Sequence, residues 1–174
     1  MRLVSLNARQ MLAAEASDEI EVLLFSIEHP DLEAPIRLSS DNTERLSEDP
    51  LIYCTRSTWR DADPETEPYL FLMVSAVLPS DLDDAPASAQ FVLENLDSEM
   101  VTLLRSFQSP PTVHMAVVLA SSPDLVEAEW TGLKLTAAEI DAGTITLSLS
   151  RDEIEGEYWP TGRMTRLRFP GLHL

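Results

Sequence analysis

One cysteine, three histidines, five glycines and a single lysine, Lys134, are all that this 174-residue chain holds of the residues that most often staple, ligate or hinge a fold. The lone Cys54 excludes an internal disulfide. Three scattered histidines and one cysteine offer no pair of metal ligands at helical or hairpin spacing. There is no glycine-rich phosphate loop, no nucleophile elbow and no His-Glu-x-x-His, so the sequence predicts no catalytic, cofactor-binding or metal-binding residue and no enzyme activity. Cys54 with His114 is the only Cys–His combination away from a turn or the chain end. Cys54 lies between Tyr53 and Thr55 in an expected strand, with no helix N-terminus or cation cluster to hold a thiolate, and His114 falls on the face opposite Val113 and Met115. Both read as structural. No apolar run reaches the length of a membrane span and no charged-then-apolar leader opens the chain, so it is expected to be soluble.

Positive charge is also scarce. Thirty acidic residues face twelve basic ones, a formal net charge of −18, which disfavours direct contact with nucleic acid or anionic membranes. The acidic loops Asp61–Glu67 and Asp81–Asp84 lack the glycine-bearing, twelve-residue pattern of an EF-hand and read as solvated. At this length a single domain, residues 1–174, can bury roughly 70% of its unfolded surface.

What the chain does have is alternation. Phe91 and Leu93 alternate with polar neighbours as in a strand with one buried face. Asp97 is a good N-cap for a helix carrying Met100, Val101, Leu103, Leu104 and Phe107 on one stripe, which Pro110-Pro111 ends. Val113, Met115, Val117 and Leu119 then alternate as a second strand. The centre is therefore expected to be strand–helix–strand, with the helix laid on a sheet. Elsewhere Ser5 caps an outer helix over Leu6–Glu15, and Ile20–Ile27 and Pro35–Leu38 form strands able to pair as a hairpin. Ser39–Pro50 reads as polar and turn-like, Leu51–Thr55 as a short strand, and Tyr69–Leu78 as one buried strand. Leu125–Trp130 and Leu133–Thr136 read as strands about a turn at Thr131-Gly132, and Thr144–Ser150 as a strand with Ile145, Leu147 and Leu149 inward.

The last segment has no strong period. Tyr158, Trp159 and Phe169 lie among Arg163, Arg166 and Arg168, three of the chain's eleven arginines within six positions. These six residues, in a possible docking extension 157–174, are the candidate interface, since aromatics and arginine do well at buried contacts. The competing reading is that the arginines fold back over acidic loops of their own chain.

Across nearly its whole length the chain resembles a domain-of-unknown-function family of long-tailed bacteriophage tail-tip and baseplate proteins. The resemblance runs through Ala8-Arg9-Gln10, Glu21-Val22-Leu23-Leu24, Ile27-Glu28-His29-Pro30-Asp31-Leu32, Ala89–Asp97, Pro110-Pro111-Thr112-Val113, Gly132-Leu133-Lys134-Leu135 and Phe169-Pro170-Gly171-Leu172. It implies an α+β domain like those of tail tubes and hubs: a mostly antiparallel β-barrel or sandwich with one helix packed across it. It implies a non-catalytic structural role in the virion tail, as a hub or distal-tail ring subunit made in the host bacterial cytoplasm. The partners would be copies of itself and other tail proteins, with no nucleic acid, no membrane and no cofactor. The alternative is a small acidic phage-encoded inhibitor, a DNA mimic that occupies a host protein's nucleic-acid groove, motivated by the charge of −18.

Overall fold

The computed structural model describes residues 4–78, 88–94, 109–141, 143–150 and 165–172. A short helix, α1 (Leu6–Ala13), precedes ten strands: β1 (Glu21–Glu28), β2 (Ile36–Ser39), β3 (Glu44–Glu48), β4 (Leu51–Thr55), β5 (Tyr69–Phe71), β6 (Val74–Val77), β7 (Ser88–Glu94), β8 (Thr112–Leu119), β9 (Ser122–Ile140) and β10 (Thr144–Ser150). Helix α1 starts where expected, with the Ser5 hydroxyl accepting from the Ala8 N–H at 3.1 Å, and only Ala8 of its eight residues is buried. No helix among the described residues is long and apolar enough to cross a membrane.

All ten strands belong to one mixed sheet, in the order β3-β4-β5-β2-β1-β8-β9-β10-β7-β6, antiparallel except where β2 meets β5. The expectation of an α+β barrel or sandwich is thereby corrected. The fold is mostly β, in a single sheet whose ladder is not closed. The helix expected between Asp97 and Phe107 lies outside the described residues.

The sheet cannot be flat. β5 and β6 stand seven ladder steps apart in the strand order, about 34 Å at ordinary strand spacing. Yet only Leu72 and Met73 separate them in sequence, a reach of about 11 Å. The Leu72 N–H donates to the Ser39 carbonyl of β2 at 2.8 Å, while the very next residue, Met73, accepts from the Glu94 N–H of β7 at 3.1 Å. The sheet therefore coils until its two sides meet at this dipeptide. Phe25 of β1 and Phe91 of β7 consequently touch edge-to-face, with ring centroids 4.8 Å apart. Tyr69–Leu78, expected as one buried strand, is instead two short strands on opposite sides of the sheet order, with every residue but Tyr69 exposed or half-exposed.

Coiling produces two cores. The inner face holds Phe25, Ile27, Phe91, Met115, Trp130, Leu133, Ile145, Leu147 and Leu149, enclosing an apolar cavity of only about 20 Å³. The inward trio of β10 is thus as its alternation predicts. The outer face of β1 and β8 is covered as well: Val22, Leu24, Ala116 and Val118 pack under Trp59, Ala62 and Tyr69. Covering on both sides explains why β8 is buried at nearly every position and β1 from Leu24 to Ile27 without a break.

Two further expectations change. Ser39–Pro50 contains edge strand β3, which pairs with β4 and lies mostly exposed, so its polarity reflects an edge rather than a turn. Thr131-Gly132 is not a hairpin turn but a bulge within the nineteen-residue β9, where the register against β8 slips between Val113 and Met115. Gly132 takes φ +70°, and an added Cβ would meet nothing within 4 Å. Gly132→Ala is therefore expected to cost about 1 kcal/mol from backbone strain alone. Thermal denaturation would check this, and a Tm equal to that of wild type would show the bulge to be adaptable.

Candidate functional site

The densest polar chemistry among the described residues lies on the outer face, beneath the loop 56–68. Strand register places Arg37 of β2 opposite Ser26 of β1, and Ser26 opposite His114 of β8. Each stands on the face opposite the inner core, because its sequence neighbours Leu38, Ile27, Val113 and Met115 point inward. The β1–β2 pairing and the β1–β8 ladder thus align three polar residues from distant parts of the chain.

Arg60 descends on this row from the loop. Its guanidinium donates to Glu28 Oε1 at 2.6 Å and lies 3.4 Å from His114 Nε2. Glu28 Oε2 is 3.7 Å from the same imidazole nitrogen. The hydrogen bond and charge of Arg60 hold the Glu28 carboxyl below the usual carboxylate range despite its partial burial. The Gly132 N–H donates to His114 Nδ1 at 3.3 Å. Burial, and then Arg60, push the imidazole pKa down from 6.5, more than Glu28 and Glu129 raise it. Arg37 pairs with Glu67 at 3.1 Å.

The loop is fixed at several further points. Ser57 donates to the Pro123 carbonyl at 2.7 Å, and the Thr58 N–H and hydroxyl both bond Asp124. The Trp59 indole donates to Glu129 at 3.0 Å and its ring lies against Tyr69. The Tyr69 hydroxyl, its pKa pushed up to about 12 by burial, donates to the Trp59 carbonyl at 2.6 Å. Arg60 and Asp61 take φ of 57° and 54°, a left-handed pair costing roughly 1–2 kcal/mol each. Such strain persists only where surrounding contacts over-determine the backbone, and the Arg60–Glu28 pair and the Trp59 anchor supply them here.

This arrangement clamps a loop; it does not present reactants. Ser26 Oγ, the one hydroxyl in the row, is fully buried and bonds no base. Cys54 is buried in β4, and burial pushes its thiol up, away from the thiolate a nucleophile needs. No hydrogen bond or ion pair among the described residues joins Cys54 to His114, and no group of three His, Cys, Asp or Glu among them is placed to hold a metal. His114 does stand on the face opposite Val113 and Met115, as its sequence position implies.

A pH dependence follows. With its folded pKa below 6.5, His114 contributes stability that is complete above that value and is lost as pH falls below it, until the folded ring also protonates. His114→Asn, whose amide oxygen can replace Nδ1 as acceptor for Gly132, should flatten the fall in Tm between pH 7.5 and 5.5. Equal slopes for wild type and variant would show that the buried ring does not titrate in this window.

Of the six sequence-predicted interface residues, Tyr158, Trp159 and Arg163 lie outside the described residues. Arg166, Arg168 and Phe169 are all exposed, on a tight turn in which the Thr165 carbonyl accepts from the N–H groups of Arg168 and Phe169. Leu167, at the apex, is 96% exposed, and Phe169 is 44% exposed. No ion pair among the described residues engages Arg166 or Arg168. Sequence reading missed the Arg37–Ser26–His114 row, for which no local pattern exists. It also missed a second surface, a groove of about 590 Å³ beside β2 and β5. Its only sequence signals were the prolines at 35 and 68, which flank short apolar runs. No protein-family model and no curated protein matches this chain.

Proposed function

We propose that this chain is a non-catalytic structural subunit of a bacteriophage tail tip or baseplate, a hub or distal-tail ring component that assembles with copies of itself and with other tail proteins. The observation that carries this reading is the exposed turn Thr165–Phe169. An almost fully exposed leucine between two arginines, with a half-exposed phenylalanine beside it, offers a surface suited to a contact with another subunit. On a polyanion of net charge −18 its two arginines also lessen the repulsion that a second subunit meets. A clamped, strained loop and a two-sided core favour a rigid building block.

The DNA-mimic reading needs carboxylates free on a continuous stripe. Many acids here are engaged locally instead: Glu28, Glu44, Glu48, Glu65 and Glu67 pair with arginines, and Asp41, Asp63 and Asp124 accept from nearby backbone or hydroxyl groups. The experiment is to delete the gene from a phage that encodes it and image the lysate. Incomplete or missing tails, restored by the full-length gene, are expected, with the chain at fixed copy number in purified tails. Normal infectious particles from the deletion would overturn the proposal.

A further inference from the structure

We infer that the loop 56–68 is an acid-opened lid, which protonation of His114 releases from the outer face of β1 and β8. Glu28 of β1, Glu129 of β9 and Arg60 of the loop face the imidazole, and Arg37 of β2, paired with Glu67, lies beyond Ser26 in the same row. Arg60 stands 3.4 Å from Nε2 and already holds the carboxylate that a charged ring would need, through its 2.6 Å bond to Glu28 Oε1. Glu28 Oε2 lies farther from the ring, at 3.7 Å. A proton on the buried ring therefore sets two cations against one carboxylate. The attraction comes from the strands, whereas the two larger opposing effects, burial and the Arg60 charge, come with the loop that lies over the ring. Lifting the loop removes both and leaves Glu28 beside the ring. The open form thus binds the proton more tightly, and by linkage the proton favours the open form.

The closed loop also carries strain of its own. Arg60 and Asp61 hold left-handed φ of 57° and 54°, and Ser26 Oγ and Arg37 Nε beneath them are buried with no hydrogen-bond partner among the described residues. Opening relaxes the first and lets water reach the second. The grips on β9 are easily released, because Asp124 and Glu129, which bond Thr58 and Trp59, are exposed carboxylates that exchange those bonds for water. Packing of Trp59 and Ala62 on Val22, Leu24, Ala116 and Val118 is what keeps the lid shut at neutral pH. The strands below need not part: β1 and β8 pair with each other, and the inner core lies on their other face. Acid therefore bares a defined apolar patch on a chain that is otherwise folded.

The test uses the full chain and amide hydrogen exchange, written as protection factors so that the intrinsic pH dependence divides out. The loop is read at the Thr58 N–H, bonded to Asp124, and the Ala62 N–H, bonded to the Trp59 carbonyl; the β7–β10 ladder is the reference for opening of the whole fold. Loop amides should be at least tenfold less protected than the ladder. Their protection should fall at least threefold between pH 7.5 and 5.5, with the midpoint at which the His114 ring itself titrates, followed by its C–H resonances in NMR. In His114→Asn the loop's protection should stay constant within a factor of 1.5 over the same range. Loop amides as protected as the ladder would show that the loop opens only with the whole fold, and would overturn the inference. A fall with a midpoint in the carboxylate range, or an equal fall in wild type and His114→Asn, would overturn it as well. If the variant fails to fold, the comparison of midpoints in wild type decides the matter alone.

Discussion

Trp59→Ala is expected to lower the unfolding free energy by about 3–5 kcal/mol, the range for removing a buried tryptophan. In a domain of this size that shifts Tm by on the order of 10 °C. Trp59 is 7% exposed and packs with Tyr69, Ala62, Val22, Leu24, Ala116 and Val118. It is the largest side chain in the outer core and the point from which the loop 56–68 is held. Three separate effects combine: the apolar contacts go, the Tyr69 ring loses its neighbour at 5.9 Å, and the strained Arg60–Asp61 backbone loses one of its anchors. The lost bond to Glu129 matters less, because that carboxylate is exposed and regains water. Trp59→Phe, which keeps much of the volume and removes only the indole N–H, should cost about 1–2 kcal/mol. Denaturant titrations followed by circular dichroism measure both. A loss below about 1 kcal/mol for the alanine variant would mean that the outer core does not hold the sheet.

That largest effect falls on a residue that no sequence pattern singled out, and the reason is physical. Alternation reports which face of a strand is buried, so β10 with Ile145, Leu147 and Leu149, β7 with Phe91 and Leu93, and the paired β1 and β2 were legible. Alternation is silent when both faces are buried, as in β1 and β8, and it cannot say what covers the second face. Trp59 sits in a polar, acidic stretch whose composition reads as solvated, and its partners in β1, β8 and β9, Val22, Leu24, Ala116, Val118 and Glu129, are distant in sequence. The split of Tyr69–Leu78 was hidden for a similar reason. A run of ten residues that are all apolar but Ser75 looks like one buried strand unless the coil of the whole sheet is known, and that coil depends on pairings between residues distant in sequence, such as Leu72 with Ser39. The turn Thr165–Phe169 was legible as a candidate because arginine clustering is a local property. Its full exposure was not.

Truncation after Glu157 is expected to leave a folded domain that no longer enters a tail. The described part of the removed segment makes its backbone hydrogen bonds within itself, from Arg168 and Phe169 to Thr165, so its loss leaves none of those bonds broken in the sheet. It contributes no residue to either core. Exposed Arg–carboxylate pairs at the new contact would give only about 0–1 kcal/mol each, so burial of Leu167 and Phe169 must supply most of the affinity. The measurement is complementation of the gene deletion with the truncated chain, with far-UV dichroism of the purified protein alongside. Normal tails from the truncated chain would remove the docking role. Failure of the truncated chain to fold would mean that the segment closes its own domain instead.

The dipeptide Leu72–Met73 also has a mechanical meaning. A sheet held only by ladders opens by unzipping from an edge, one hydrogen bond after another. Here seven ladders separate β5 from β6, yet the two strands are also joined by three peptide units of one chain. A load that would spread β6 away from β2 is carried first along this covalent strap, where Leu72 grips Ser39 and Met73 grips Glu94. Force applied at one side of the sheet therefore reaches the other through main-chain bonds, in parallel with the ladders and without waiting for them to yield. A subunit built this way has a fixed girth.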